Sequence, residues 1–143
     1  MIFDTTYYLR CISTLNKAYS LLISTNPELI EYDLYRSACI KEFEIILEQS
    51  GKLMRKLLKP YFPTGKDVDK LYFKDLFRHA LLRDILSEEE CERWINYRDN
   101  RNSTSHDYGV NFAQETLKLI PQFILDSYSL AEFINKMKYD SER

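Results

Sequence analysis

Residues 8–22 read YLRCISTLNKAYSLL, with apolar side chains at alternating steps of four and three. The repeating positions are Tyr8, Ile12, Leu15, Tyr19 and Leu22. Because this spacing aligns side chains on one face of a helix, the stretch predicts an amphipathic helix over residues 4–24. The same spacing recurs along almost the whole chain, which favours an all-α fold.

Four more helices are predicted after the first. They cover residues 26–59, a stretch from about 68 to 85, residues 87–102 and residues 111–138. The second begins with Asn26 as a cap and Pro27 as its first helical residue, and the fourth begins with a capping box of Ser87 and Glu90. Short connections between long amphipathic helices favour an antiparallel bundle of four to five helices, with residues 1–143 as a single domain.

Length and composition limit the class of protein. A chain of 143 residues has the length of one domain, and its 45% hydrophobic content excludes a disordered protein. The 20 basic and 22 acidic residues give a net charge of -2, which excludes a histone-like polycation. Any contact with nucleic acid must therefore come from a local basic patch.

The sequence predicts neither a metal nor a cofactor. Cys11, Cys39 and Cys91 are widely spaced, which indicates reduced thiols rather than disulfides or a zinc site. With 2 histidines and 3 glycines, neither a metal-ligand cluster nor a phosphate-binding glycine loop is expected. No apolar stretch approaches the ~18 residues of a membrane span, and no signal peptide is visible, so we expect a cytoplasmic protein.

The two histidines differ in their surroundings. His79 lies four residues after Asp75 on the predicted third helix, where a hydrogen bond to that carboxylate accounts for it. His106 follows a stretch in which the core-facing stripe of the fourth helix becomes polar, at Arg98, Arg101 and Asn102. Charge on such a stripe indicates an anionic ligand. Alternatively, the arginines reach solvent or pair with carboxylates. The candidate carboxylates are Glu90, Asp99 and Asp107.

Residues 101–108 contain the pattern R-x-x-x-x-H-x-Y, formed by Arg101, His106 and Tyr108. This pattern resembles the signature of the HEPN superfamily in its HepT-type form, which Asn102 and Ser105 also match. Other segments are similar to the family known as nucleotidyltransferase substrate-binding proteins. These are residues 43–44, 52–58, 75–78 and 94–101, so the resemblance covers most of residues 36–109.

The resemblance implies a homodimeric helical bundle in which the motifs of both chains face one cleft. It implies a metal-independent endoribonuclease toxin of a type VII-like HepT/MntA pair, with Arg101 and His106 as catalytic residues and a tRNA or an mRNA as substrate. The supporting residues would be Asn102, Ser105 and Arg98. It also implies a partner, a minimal nucleotidyltransferase antitoxin that adds AMP to Tyr108.

The chemistry of the motif residues fits those roles. Imidazole titrates near neutral pH, so His106 suits the transfer of protons to and from RNA oxygens. A guanidinium keeps its charge and binds two phosphate oxygens at once, so Arg101 suits stabilisation of the anionic transition state. Five residues on an unbroken helix place the two side chains ~140° apart. Their convergence therefore requires a break in the helix or a symmetric partner chain.

A basic stripe on the predicted second helix is a further candidate surface. Its members are Lys52, Arg55, Lys56 and Lys59. The stripe predicts a track for RNA phosphates or a docking face for an acidic partner, with a solvated helix face as the alternative.

Two other functions stay open for the chain. One is a non-catalytic nucleotide- or substrate-binding subunit of a minimal nucleotidyltransferase, and the other is a dimeric scaffold protein.

Overall fold

The computed structural model describes residues 3–104 and 110–141, and within those ranges the chain is helical with no strand. The elements are α1 (Thr6–Ile23), α2 (Ile30–Leu58), a 3₁₀ turn (Lys59–Tyr61), α3 (Gly65–Asp69), α4 (Phe73–Leu82), α5 (Glu88–Thr104) and α6 (Val110–Ser141). Helix α2 contacts α1, α6 and α4, while α5 contacts α4 and α6. The predicted all-α bundle is confirmed. Every helix in the described ranges is too short or too polar to span a lipid bilayer.

The connection between α1 and α2 corrects one predicted cap. The side chain of Asn26 accepts a hydrogen bond from the backbone N–H of Glu28 at 3.0 Å, and its carbonyl accepts one from Leu29, also at 3.0 Å. These bonds close a turn, which is an alternative that asparagine offers the backbone. The prediction that α2 starts at Asn26 and Pro27 is therefore wrong, because the helix begins at Ile30.

The predicted third helix is two helices in the structure. The guanidinium of Arg55 on α2 donates to the carbonyls of Val68 at 2.5 Å and Leu71 at 3.0 Å. Carbonyls bound in this way do not need a continuing helix, and α3 ends at Asp69. Helix α4 then begins at Phe73. The capping box at the start of α5 is confirmed, since Ser87 and Glu90 exchange two bonds of 3.1 Å.

Aromatic side chains from four helices form the centre of the core. Trp94 and Tyr97 of α5 are almost fully buried beside Phe43 of α2, Phe77 of α4 and Phe123 of α6. Ring centroids lie 4.6 Å apart for Phe43 and Phe123, and 5.1 Å apart for Phe77 and Trp94. Such pairs add to the stabilisation from apolar burial. They fix the first half of α5 against the rest of the bundle.

A polar cluster lies within this core. The carboxylate of Asp126 is 3% exposed and accepts bonds from Nε and Nη2 of Arg93, both at 2.8 Å. It also accepts the hydroxyl of Tyr97 at 2.5 Å and the amide of Gln122 at 3.3 Å. Burial, and then the bond to Asp126, raise the pKa of the Tyr97 phenol. Asp126 thus ties α5 to α6.

The three cysteines are free and buried, in agreement with the prediction of reduced thiols. Burial raises the pKa of the Cys39 thiol to about 11. At neutral pH this group is therefore protonated and a poor nucleophile.

Candidate functional site

The second half of α5 carries its arginines into an open groove between α5 and α2. The side chains of Arg98 and Arg101 are 32% and 37% exposed, so both lie at the border between core and solvent. The groove has a volume of about 460 Å³. Its charged and amide lining residues include Lys41, Glu44, Glu48 and Lys52 of α2 and Arg98, Arg101 and Asn102 of α5.

Each arginine faces a glutamate of α2. The Nε of Arg101 lies 3.9 Å from Oε2 of Glu44, and Nη1 of Arg98 lies 3.9 Å from Oε2 of Glu48. Both distances exceed the ~2.7–2.9 Å of a charge-assisted hydrogen bond. Partly exposed ion pairs of this kind stabilise a protein by about 1 kcal/mol at most.

These contacts agree with the alternative that the arginines pair with carboxylates, and they add two glutamates to the predicted partners. Glu90 accepts the backbone N–H of Ser87 in the capping box, and Asp99 forms an ion pair with Lys74. Asp107 lies outside the described residues. The pairing of the arginines with Asp107 stays a prediction. Glu44 and Glu48 belong to α2, and the packing of α2 beside α5 brings their side chains across the groove.

A second, smaller groove of about 200 Å³ continues from the first. The two grooves share Glu48, Lys52 and Arg98. The guanidinium of Arg98 lies over the ring of Phe73, 5.3 Å from its centroid. Tyr72 stands at the edge of this second groove with 81% of its surface exposed. Arg98 therefore lies where the two grooves meet.

The predicted basic stripe divides into residues with different surroundings. Arg55 is half-buried and bonds the carbonyls at the end of α3, so it has a structural role. Lys52 lines both grooves, whereas Lys56 and Lys59 are exposed and line neither. Binding of RNA or of a partner by this stripe stays a prediction.

Of the two histidines, His79 lies within the described residues and His106 lies outside them. The ring of His79 lies 5.2 Å from that of Phe62, and Asp75 accepts the backbone N–H of Tyr72 at 3.2 Å. The predicted bond between His79 and Asp75 is wrong, because the structure shows none between these two described residues; Asp75 caps α4 and lies 3.8 Å from Arg78. The motif residues Ser105, His106 and Tyr108 lie outside the described residues, so their expected roles stay predictions. Among the described residues, no group of three acidic, histidine or cysteine side chains could hold a metal ion.

Lys41, Glu44 and Glu48 are groove residues that the sequence analysis did not single out. They follow one another at steps of three and four, with Lys52 four residues further on. This spacing places all four on one face of α2. Two glutamates between two lysines on one helix face were a signal that could have been read. Which helix the face meets depends on the packing of the bundle.

The groove has the charge and the donors to bind a phosphodiester. Four basic and two acidic side chains give its lining a net charge of +2, in a chain whose net charge is -2. Guanidinium groups match pairs of phosphate oxygens in geometry as well as in charge. The groove is therefore a local basic patch of the kind that any contact with nucleic acid would need in a chain of this composition.

Comparisons with known proteins identify the family and the fold. The sequence model of the family described as nucleotidyltransferase substrate binding protein like matches residues 5–136. A Haemophilus influenzae protein named "Probable ribonuclease HepT" is 31% identical over 115 residues, which are 80% of this chain and 77% of that protein. A solved Haemophilus influenzae structure, described as the fold of a substrate binding domain of a nucleotidyltransferase, superposes with a TM-score of 0.76. It is 25% identical, and the match covers 92% of this chain and 99% of the other.

Proposed function

The chain belongs to the nucleotidyltransferase substrate binding protein like family and is a HepT-like member of it, and on that basis we propose that it is a ribonuclease toxin. In this proposal it cleaves RNA without a metal ion. Arg101 and His106 are the catalytic residues, while Arg98, Asn102 and Ser105 support them.

The observation that carries the proposal is the position of Arg101. It lies at the border of the cationic groove, five residues before His106 in the sequence. The 2′-oxygen of RNA attacks the adjacent phosphorus as the imidazole accepts its proton. The bond to the 5′-oxygen breaks, and that oxygen receives a proton from a second imidazole. Arg101 stabilises the extra negative charge on the phosphoryl oxygens.

A single motif histidine per chain favours a homodimer. Acid and base are both needed in this reaction, and two chains would bring two imidazoles to one cleft. The proposed partner is a minimal nucleotidyltransferase antitoxin, in agreement with the family's description. It would transfer AMP to Tyr108, placing a bulky anion beside the motif and blocking RNA. A tRNA or an mRNA in the cytoplasm is the proposed substrate.

The proposal is tested with His106→Ala and with His79→Ala as its matched control. Wild-type protein and the control should arrest growth of a bacterial host, and purified protein should cleave RNA in the presence of EDTA. His106→Ala should lower the cleavage rate at least about 100-fold. Intact mass is measured first, because AMP on Tyr108 would hide activity. Equal cleavage by wild type and His106→Ala would contradict the proposal.

Arg101→Ala tests the electrostatic role separately. We expect a loss of cleavage rate of about 100-fold or more. Arg78→Ala is the matched control, because Arg78 also pairs loosely with a carboxylate, at 3.8 Å from Asp75, but lines neither groove. A rate for Arg101→Ala equal to that of the control would remove Arg101 from the mechanism.

The second candidate function is a non-catalytic subunit that binds a nucleotide or substrate for a nucleotidyltransferase. The description of the solved relative favours it. In that case the groove binds a nucleotide phosphate, and Arg101→Ala weakens binding while His106→Ala has no effect. Tight binding of a mononucleotide without RNA cleavage by unmodified protein would support this function over the first.

A further inference from the structure

The second groove is built by a close approach between α2 and α4. A Cβ atom on Gly51 would lie 3.0 Å from Cδ2 of Phe73. The missing side chain therefore lets the Phe73 ring lie against α2 and line the groove. Arg55 fixes another wall through its bonds to the carbonyls of Val68 and Leu71. These contacts give the groove a preformed apolar base.

Lys52 and Arg98 provide cationic groups where this groove meets the first. Arg98 is three residues before Arg101, about 4.5 Å along the axis of α5. A strand whose reacting phosphate lies at Arg101 would therefore reach Arg98 with a neighbouring nucleotide.

Tyr72 is the N-cap residue of α4, and its ring extends into solvent. At 81% exposure it is the most exposed large hydrophobic side chain in the described ranges. No aromatic ring or cation from the described residues stacks on it, whereas Tyr61, which is 45% exposed, lies beneath the guanidinium of Arg83 at 4.8 Å. An aromatic face beside a basic groove is the feature on which unpaired bases of single-stranded RNA stack.

We propose that the second groove binds a nucleotide next to the cleaved bond of single-stranded RNA, with its base stacked on Tyr72 and its phosphate held by Arg98 and Lys52. This subsite rests on the proposed ribonuclease function. It would give the protein a preference for unpaired RNA, since a base in a duplex cannot stack on a side chain.

The test uses the full chain carrying His106→Ala, so that the probe is not cleaved. The probe is a fluorescein-labelled oligoadenylate of about 12 nucleotides, within the range of single-strand binding sites, and the readout is fluorescence anisotropy. Tyr72→Ala should raise the Kd about tenfold. Tyr72→Phe keeps the ring and should stay within about twofold. Inorganic polyphosphate, which has charge but no base, should bind Tyr72→Ala and its parent equally.

Two further variants separate stacking from charge. Tyr61→Ala removes another exposed ring that lines neither groove, and it should leave the Kd unchanged. Lys52→Ala should reduce the slope of log Kd against log salt by about 1, whereas Tyr72→Ala should not change that slope. Because Tyr72 is exposed, its replacement leaves the fold intact, which thermal unfolding checks.

The outcomes distinguish the two proposals. An equal Kd for Tyr72→Ala and its parent, or an equal loss with polyphosphate, overturns the subsite and leaves the ribonuclease proposal standing. Failure of the His106→Ala parent to bind the oligoadenylate, together with failure of the unmodified wild type to cleave RNA, overturns both.

Discussion

Helix α5 carries three arginines that pair with carboxylates, and its two halves hold them differently. In the first half, Arg93 makes two bonds of 2.8 Å with Asp126, which is 3% exposed. In the second half, Arg98 and Arg101 lie 3.9 Å from glutamate side chains that are 63% and 34% exposed. One half of the helix is fixed to the core, and the other lines the groove.

The ion pair of Arg93 and Asp126 supports the fold, whereas the glutamates paired with Arg98 and Arg101 can be replaced by a ligand. Asp126 is buried and receives four hydrogen bonds from three side chains, so removing it leaves buried donors unsatisfied. The glutamates of the groove can return to water at little free-energy cost. A phosphate can therefore replace them beside the arginines without disturbing the fold.

Asp126→Ala should have the largest effect on stability. We expect a loss of about 3 kcal/mol in the free energy of unfolding, the low end for a broken buried pair, because Arg93 remains partly in water. Urea denaturation at neutral pH measures it. Glu44→Ala, the matched change in the groove, should stay within about 0.5 kcal/mol. Similar losses in the two variants would remove the distinction between the two halves of α5.

Tyr97→Phe should have an intermediate effect. It removes a bond to a charged acceptor and should lower the free energy of unfolding by about 1.5 kcal/mol. Tyr8→Phe is the control, because the buried Tyr8 hydroxyl bonds the neutral Ser50 at 2.7 Å and should be worth about 1 kcal/mol. A smaller loss for Tyr97→Phe than for Tyr8→Phe would mean that the charge on Asp126 adds nothing.

The loss of stability in Tyr97→Phe should also depend on pH, in a direction that follows from the pKa of Tyr97. Burial raises the pKa of Tyr97 in the folded state. The unfolded chain therefore ionises first, and wild-type stability falls as pH rises above about 10. Tyr97→Phe lacks that ionisation, so its deficit relative to wild type should shrink between neutral pH and about pH 11. A constant deficit, measured by denaturation at both values, would contradict the raised pKa.

The sequence was sufficient for the parts of the fold that depend on local patterns. Stripes at helical spacing predicted α1 and α2, and Ser87 with Glu90 predicted the start of α5. The break between α3 and α4 was missed because it depends on Arg55, which reaches the carbonyls of Val68 and Leu71 from another helix. No periodicity in the segment itself contains that information.

In the candidate site, too, the sequence predicted some residues and missed others. Arg101 followed from spacing and from the motif, and the structure places it at the groove. Glu44 was missed as the neighbour of Arg101 and Glu48 as that of Arg98, because the side of α2 that faces α5 follows from three-dimensional packing. Tyr72 was also missed, since a single exposed ring outside an apolar stripe becomes noticeable only beside Arg98 and Lys52 in space.

Glu44→Gln should have the smallest effect and tests the groove half of the comparison. The change keeps the shape of the side chain and removes its charge, so stability should change by less than about 0.5 kcal/mol. The carboxylate of Glu44, about 4 Å from Arg101, repels a phosphate bound there by about 1 kcal/mol in water, and salt reduces this repulsion. In the His106→Ala background, the oligoadenylate should therefore bind about threefold more tightly. Glu115→Gln neutralises an exposed glutamate that pairs with Lys118 away from both grooves, and it should leave the Kd unchanged. Weaker binding by Glu44→Gln would mean that Glu44 chiefly holds Arg101 in position, and the groove pairs would then be structural like that of Asp126.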